Sequence, residues 1–468
     1  MSEAFDQVLE PVLQEMDPRV AERIRGHVYS QLLCLGRHTI TGLLTTQGRA
    51  QHDWSADYRL YAQARIEPEA LFAAAWQGVE ARLGPRQPMV LALDDSLLRK
   101  RGPRAHGVKW LRDPLGPPFA VNFVRGQRVV QFSAALRTGE AQARMVPVDF
   151  QHAPLPPKLP ATASESEQTA WKTESKRCNI NAVAAARLTY LTRQTKRQVV
   201  TVCDGRFANR RFLRAAPAAA EVITRIRKDS VVFHAPEAQA STGRRRLYGS
   251  RAPTPEELRT AETEPWQRVR GFACGKVHEF KIKRLLDVRS PLRGGQPCQV
   301  LVIAPLAYRL RAGSKILYRQ PAYLLCTDPE LTVRQFLQWY LWRWDIEVNF
   351  RDEKTLLGVG QAQVRQAQSC QRVPATAVAA YALLLVAADR AWPPSAGTPT
   401  PLFPPPRWRA GQRVRLSTAD LLDRLRFDLY AHALKPESFT GFWSSPAPNH
   451  KPGKHPVNLA GSLFHHRV

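Results

Sequence analysis

The sequence predicts an α/β fold, a mixed β-sheet with flanking helices, interrupted by a β-rich insertion and preceded by a helical N-terminal domain. The first observation is that short apolar runs ending in an acid, MVLALD (89–94) and QVVTVC followed by Asp204, are typical of buried strands. The second is that residues 1–85 contain amphipathic stretches such as VLEPVLQEM and few β-branched runs, which is typical of helices.

The 468-residue length favours about three domains. Shifts in composition predict five segments: a helical N-terminal domain (1–85), in which DNA binding and a plain helical cap are both open; the first part of the α/β core (86–218); a β-rich insertion (219–328); the second part of the core, with an acidic helix (329–392); and a Pro-rich basic linker with a C-terminal helical segment (393–468).

Within the core, acids follow two of the predicted strands. In chain order we predict strands at 89–94, 119–123 and 128–136 with a turn at 124–127, a helix at 166–195 capped by Ser164 or Ser166, a strand at 198–203, a short helix at 209–215, a long helix at 331–358, an apolar helix at 374–391 and a last helix capped by Ser417. Asp94 and Asp204 end the first and fourth strands, and ligand sites in open α/β sheets tend to lie at such ends.

The charge balance indicates an anionic partner. Lys and Arg number 68 against 40 Asp and Glu, giving a formal net charge of +28. Nucleic acid is the usual partner of such a chain, because neutralised phosphates release counterions. A ribosome-associated or membrane-surface protein is the alternative, and charge does not separate DNA from RNA.

The remaining composition favours a cytoplasmic protein with no membrane association. The seven cysteines are scattered and include no Cys-x-x-Cys pair, which argues against a disulfide framework or a zinc ribbon. The N-terminus MSEAFDQVLEPVL lacks the basic and apolar regions of a signal peptide. The longest apolar run, AVAAYALLLVAA (377–388), is short enough for a buried helix.

The segment YLWRWDIEVNFRDEK places four polar side chains on one predicted helix stripe. Tyr340, Arg343, Glu347 and Lys354 fall within an arc of about 60° at roughly 100° per residue. One acid, two cations and a phenol suit a phosphate and its metal ion. The alternative is a solvated amphipathic helix, in which Arg343 and Glu347 form an ordinary i,i+4 pair.

Asp94, Asp204 and Glu347 together fit a two-metal phosphoryl-transfer site. Hard divalent cations take oxygen ligands from several directions, and two such ions stabilise the attacking and leaving oxygens. Each acid also has an ordinary explanation, since Asp204 begins an Asp-Gly turn. Alternation along β-strand 89–94 does not decide whether Asp94 or its neighbour Asp95 faces the site.

These residues resemble the DDE transposases, which share the ribonuclease-H-like fold with retroviral integrases. Tyr340-x-x-Arg343-x-x-x-Glu347-x(6)-Lys354 resembles the Tyr-Arg-Glu-Lys signature of a group of bacterial insertion-sequence transposases, and Asp94-Asp95-Ser96 matches the Asp-x-Ser/Thr setting of its first acid. The resemblance covers roughly residues 85–390. It implies that the three acids bind two Mg²⁺ ions, for which Mn²⁺ would substitute. It also implies cut-and-paste transposition, in which the freed 3′-hydroxyl attacks the opposite strand to form a hairpin, the hairpin is reopened, and the 3′-end joins target DNA.

The resemblance also implies particular partners. Tyr340, Arg343 and Lys354 would contact DNA phosphate near the cut. An aromatic residue of the insertion would stack on a base flipped from the hairpin, and Trp266 is the candidate, with a buried Trp of the insertion core as the alternative. The partners would be double-stranded DNA, at transposon ends and target, and a second copy of the chain. The setting would be the nucleoid of the bacterial cytoplasm.

Three basic clusters are further candidate DNA contacts, although a charge run is more often a solvated face. They are Arg99-Lys100-Arg101 close to the first acid, Arg244-Arg245-Arg246 in the insertion, and Arg407, Arg409, Arg413 and Arg415 around Trp408. Two other functions stay open: a metal-dependent nuclease of the same fold that cuts without joining strands, and a transposase-derived DNA-binding protein without catalysis.

Overall fold

The computed structural model describes residues 1–113, 116, 119, 121–139, 141–237, 246–311, 313–397, 401–402 and 415–430. These residues form an 11-stranded mixed sheet with helices packed on its two faces. The predicted α/β class, with a large mixed sheet and flanking helices, is therefore confirmed.

The first part of the sheet is built around one central strand. The strands are β1 (Met89–Arg99), β2 (Lys109–Arg112), β3 (Phe123–Arg137), β4 (Ala143–His152), β5 (Val199–Cys203) and β6 (Ala220–Arg225). β1 runs antiparallel to β3 on one side and parallel to β5 on the other, and β5 is parallel to β6. Two strands pair with the outer edge of β3, first β2 and then β4.

The predicted turn at 124–127 is wrong, because these residues lie inside the long strand β3. Gly126 pairs with Arg99, and a Cβ at Gly126 would stand 2.8 Å from the carbonyl oxygen of Leu98. The lack of a side chain at Gly126 therefore allows β1 and β3 to approach closely, and the glycine does not form a turn. The strand β4 and the short strand β2 were not predicted.

The strands of residues 219–328 continue the same sheet outward from β6. They are β7 (Phe233–His234), β8 (Gln267–Ala273), β9 (Lys276–Arg289), β10 (Pro297–Ile303) and β13 (Ala322–Cys326), in the order β6-β13-β10-β9-β7 with β8 on β9. A separate two-stranded ribbon joins β11 (Ala307–Tyr308) to β12 (Leu317–Tyr318), and one short helix, α9, spans Pro255–Thr260. Residues 219–328 are therefore rich in strands, as the sequence predicts, and their first strand, β6, pairs directly with β5 of the core.

Most helices cover one face of the sheet. This set is α1 (Ser2–Gln14), α2 (Pro18–Leu33), α3 (Ile40–Thr46), α4 (Ser55–Ala62), α5 (Pro68–Glu80), α7 (Ile180–Thr192), α8 (Arg210–Leu213), α12 (Ala367–Ala391) and α13 (Thr418–Tyr430). Helix α6 (Glu165–Arg177) precedes α7 and has no buried residue. Leu91 and Leu93 of β1 belong to the same buried cluster as α5 and α12. Helix α12 is apolar enough to cross a membrane, but 89% of its most apolar window is buried inside the fold, as predicted for residues 377–388.

Two predicted long helices are each divided in the structure. The helix expected over 166–195 is α6 and α7, in which Ser164 forms a capping box with Glu167 and Asn179 caps the second helix. The helix expected over 331–358 is α10 (Val333–Trp342) and α11 (Asp345–Thr355). At this break i→i−3 bonds, such as Ile346 N to Arg343 O, replace the α-helical pattern.

Helices α10 and α11 pack on the opposite face of the sheet. Val90 and Ala92 of β1 share a buried cluster with Phe336, Trp339 and Ile346. Because side chains alternate along a strand, the residue that follows this pair at the same spacing, Asp94, points toward the same face. The sheet end and the α10–α11 break therefore lie against each other.

Candidate active site

Asp94 and Asp204 lie side by side where the parallel pairing of β1 with β5 ends. The predicted strand end at Asp94 is wrong, because β1 continues to Arg99 in its pairing with β3. β1 and β5 pair in register up to Leu93 and Cys203, so the next residue of each strand is an aspartate. Two hydrogen bonds hold Asp204 in place. The Arg206 amide donates to its carboxylate at 3.0 Å, and the Thr224 hydroxyl donates to its carbonyl at 2.9 Å. The two carboxylates predicted from the strand ends are thus brought together.

Negative charge is concentrated at this pair. Burial and, second to it, the nearby charge of Asp204 raise the pKa of Asp94 to about 7, against the opposing effect of Arg343. A buried carboxylate beside a second one is unfavourable until a cation lies against both. The electrostatics of the strand ends therefore favour a bound positive charge.

Asp95 lies on the other face of β1. Its carboxylate is paired with the Arg206 Nε at 3.1 Å and the Arg128 Nε at 3.6 Å. These two guanidinium groups neutralise Asp95 away from helices α10 and α11. Of the two candidates for the first acid, Asp94 is therefore the one that faces Glu347.

Glu347 lies in the first turn of α11 and reaches Asp94 through an arginine. Arg343 Nη1 donates to Asp94 Oδ2 at 3.2 Å, and Arg343 Nη2 donates to Glu347 Oε1 at 3.0 Å. The Arg343 side chain is only 13% exposed. The first and third acids thus face each other across a single guanidinium group.

This guanidinium stands where a shared cation would be expected. In the described part of the chain, no three Asp, Glu, His or Cys side chains are grouped closely enough to hold a metal ion. The donor types themselves fit a hard divalent cation, because Asp94, Asp204 and Glu347 all offer carboxylate oxygens. In this conformation Arg343 supplies the positive charge, and a metal ion shared by all three acids requires Arg343 to move.

Lys354 and Ser96 extend the site along the same strand. Lys354 Nζ donates to Ser96 Oγ at 2.6 Å, and Ser96 stands two residues beyond Asp94 on the same side of β1. Tyr340 is half-buried and packs against the cluster beneath α10. The stripe predicted on one continuous helix is wrong in its geometry, but Arg343 and Lys354 still bond to β1, and Glu347 bonds to Arg343.

The C-terminal segment holds both ends of α11. Arg415 forms a bidentate ion pair with Asp345, the first residue of the helix, and one of its two bonds measures 3.2 Å. Thr418 Oγ1 donates to Asp352 Oδ2, near the end of the helix, at 2.6 Å. Glu347 lies between these two contacts. No sequence signal suggested them, since more than sixty residues separate the partners.

The underside of α11 is fixed by buried polar groups. Asn349 Nδ2 donates to Ser133 Oγ at 3.1 Å and to the Met145 carbonyl at 3.0 Å. Glu353 accepts from Gln131 Nε2 at 2.8 Å. Both Ser133 and Gln131 belong to β3, the neighbour of β1. The helix that carries Glu347 is therefore bonded to the sheet that carries Asp94.

The cluster 99–101 is only partly available to a ligand. Arg99 pairs with Asp113 at 2.8 Å but keeps 62% of its side chain exposed, and Arg101 is exposed. Lys100 Nζ donates to the carbonyls of Gly360 and Ala362 at 2.7 and 3.0 Å. Lys100 therefore ties the chain after α11 to β1 and does not face outward.

Trp266 packs against buried residues of the insertion. It is half-buried beside an apolar cluster that includes Leu258, Val288 and Val300, and Lys283 Nζ stands 4.7 Å from the centre of its ring. The structure shows no contact between Trp266 and the three acids. Arg244, Arg245, Arg407, Trp408, Arg409 and Arg413 lie outside the described residues.

Comparison with known protein families identifies the first part of the chain. A family model described as a DDE superfamily endonuclease matches residues 11–272, which is more than half of the chain. The match contains Asp94 and Asp204 and ends before Glu347. A search of curated proteins found no match.

Proposed function

Because the chain belongs to the DDE superfamily of endonucleases and has a ribonuclease-H-like α/β fold, we propose that it is a transposase that cuts and rejoins DNA. Membership supports a nuclease or transposase type of enzyme, and such enzymes normally use divalent metal ions. The observation that carries the proposal is the meeting of Asp94, Asp204 and the Arg343–Glu347 pair where the parallel pairing of β1 and β5 ends.

The proposed metal ligands are these three carboxylates, with Mg²⁺ as the ion and Mn²⁺ as its substitute. Two such ions, when bound, stabilise the attacking and leaving oxygens of a phosphodiester. The fit rests on two features of the chain. All the donor atoms are carboxylate oxygens. Burial and the charge of Asp204 raise the pKa of Asp94, and a bound cation would offset both effects.

Arg343 has a second role in this proposal. If Asp94 and Glu347 hold a cation, the guanidinium of Arg343 would be free to bind a phosphate nearby. Arginine binds phosphate through parallel N–H bonds, so the released side chain would hold the DNA strand near the cut. Lys354, which donates to Ser96, provides a second positive charge beside β1. Tyr340 lies one turn before Arg343.

The reaction we propose has two parts. Water attacks the phosphorus at the transposon end, and the 3′-oxygen of the strand leaves as a hydroxyl. That hydroxyl then attacks another phosphodiester, so a new P–O bond forms as the old 3′-oxygen is displaced. In the first such attack the hydroxyl would join the opposite strand as a hairpin and release the flanking DNA. Water would then open the hairpin and free the 3′-hydroxyl again, which would attack target DNA. A dimer would pair two ends, within the nucleoid of the bacterial cytoplasm.

The test is a cutting and joining assay on DNA that flanks the gene. The full-length protein would be incubated with labelled flanking duplex and supercoiled plasmid in Mg²⁺ or Mn²⁺, alongside Asp94→Asn, Asp204→Asn and Glu347→Gln. We expect the wild type to cut the duplex and join its labelled 3′-end to plasmid, and each variant to lose both activities.

The matched control is Asp95→Asn, which removes the neighbouring acid on the opposite face of β1. We expect this variant to retain both activities. Cutting without joined product would leave a nuclease, and DNA binding without either activity would leave a non-catalytic binder. Both outcomes contradict the proposal.

A further inference from the structure

A short ribbon formed by β2 and the start of β3 presents aromatic and guanidinium groups in alternation. Trp110 pairs with Arg125 across the two strands, and Arg112 pairs with Phe123. Paired residues of antiparallel strands share a face, and so do residues two apart on one strand. All four side chains therefore lie on one face, which we call the ribbon face.

The ribbon face is open to solvent. Trp110 is 63% exposed and Phe123 is 55% exposed. Arg112 is also exposed, and Arg125 is half-buried with its guanidinium carbon 4.8 Å from the centre of the Trp110 ring. Large rings this exposed do not stabilise the fold of the chain. Their placement beside cations indicates a ligand with both flat apolar faces and negative charge.

The ribbon is continuous with the candidate active site. β3 leads from the ribbon into its pairing with β1, where Gly126 stands opposite Arg99. Arg125 Nη1 also donates to the carbonyl of Arg101 at 3.3 Å. Arg99 lies five residues after Asp94 on β1, a distance of about 17 Å, or roughly five base steps of DNA. A strand held at the three acids would therefore reach the ribbon face.

We propose that the ribbon face binds unpaired nucleotides of the DNA strand that leads away from the cut. Aromatic rings stack on bases and guanidinium groups bind the phosphates between them. Base faces inside a duplex are already stacked on one another, so the rings require an unpaired segment. This inference rests on the proposed action on DNA.

Charge distinguishes this ligand from a second copy of the chain. Two ribbon faces brought together would oppose the guanidinium groups of Arg112 and Arg125, in a chain whose net charge is already +28. The carboxylate nearest in sequence, Asp113, is paired with Arg99. A polyanion is therefore the complementary partner.

The test compares two DNA probes in metal-free buffer, where no cutting occurs. Fluorescence anisotropy would measure binding of the full-length protein to a duplex with a single-stranded extension and to the same duplex with blunt ends. We expect Trp110→Ala to weaken binding of the extended duplex by roughly tenfold and to leave the blunt duplex within about twofold. Trp110→Phe should restore most of the lost affinity.

The matched control is Trp54→Ala, which removes another exposed tryptophan, on the N-terminal side of α4 and away from the ribbon. It should leave the ratio of the two affinities unchanged. An unchanged ratio in Trp110→Ala would overturn the proposal. So would a Trp110→Ala protein that changes its oligomeric state in light scattering but not its DNA preference, because the ribbon would then join two chains.

Binding and cutting fail independently in this design. If the cutting assay shows that the wild-type chain does not cut DNA, the ratio of the affinities for the extended and blunt duplexes still tests the ribbon face. If cutting and joining are intact but Trp110→Ala binds both probes normally, only the ribbon proposal is lost.

Discussion

Glu353 offers a test of the buried chemistry beneath the helix that carries Glu347. Its side chain is 1% exposed, and burial raises its pKa from 4.5 to about 8, against a hydrogen bond from Gln131 that lowers it. The folded protein therefore keeps a proton on Glu353 across a pH range in which the unfolded chain has lost it. Stability from this group is complete below pH 4.5 and is lost as pH rises toward about 8.

The magnitude follows from that range. The free energy of unfolding should fall by about 1.4 kcal/mol per pH unit within it. Glu353→Gln keeps an acceptor for Gln131 and has no charge to bury. We expect the variant to be more stable than the wild type by up to about 4 kcal/mol at a pH of about 7.5, and equally stable at a pH of about 4.

Urea denaturation followed by circular dichroism, in chelator and at both pH values, measures the difference. The control is Glu330→Gln, which changes an exposed acid outside the core and should show no such pH dependence. The reasoning is refuted if Glu353→Gln is less stable than the wild type at the higher pH, or if the difference between them is the same at both.

Three further changes test the site. Arg343→Gln should tighten Mn²⁺ binding in calorimetry by roughly tenfold or more, because the charge-assisted bonds of Arg343 to the two carboxylates, about 1.5–3 kcal/mol, no longer compete with the ion. DNA cutting should fall in this variant, and weaker Mn²⁺ binding would contradict the reasoning. Thr418→Val should lower the free energy of unfolding by about 1–3 kcal/mol by removing the donor to Asp352, and Thr418→Ser should restore it; equal losses in both variants would count against that bond. Lys100→Met should lower stability by about 1–3 kcal/mol because two carbonyls lose their donor, with DNA affinity within about twofold; a large affinity loss would show that its amine binds DNA.

The two buried strands before the acids could be predicted because their signal is local. Runs such as MVLALD are too apolar for a surface and too short for a helix, so a buried strand that leads to an acid follows from a few residues. The continuation of β1 to Arg99 was not predicted, because it depends on pairing with β3. The parallel register of β1 and β5 then brings Asp94 and Asp204 together. The face of β1 was not predictable, because only the packing of α10 shows which of Asp94 and Asp95 is turned toward Glu347.

Other features depend on contacts distant in sequence. No Pro or Gly marks the break between α10 and α11, so the segment YLWRWDIEVNF favoured one continuous helix. Asp345, at the break, bonds to the Met145 amide and to Arg415, and neither partner is near it in the chain. The exposed ribbon was missed for a related reason, since a glycine inside a strand resembles a turn until its neighbour is known.

The most direct test of the central claim is the binding of Mn²⁺ to the full-length protein, followed by electron paramagnetic resonance and calorimetry. Substitution of Asp94, Asp204 or Glu347 by its amide should each weaken binding by at least about tenfold, whereas Asp95→Asn should bind as the wild type does. Equal Mn²⁺ binding in all five proteins would contradict a metal site made by these three carboxylates.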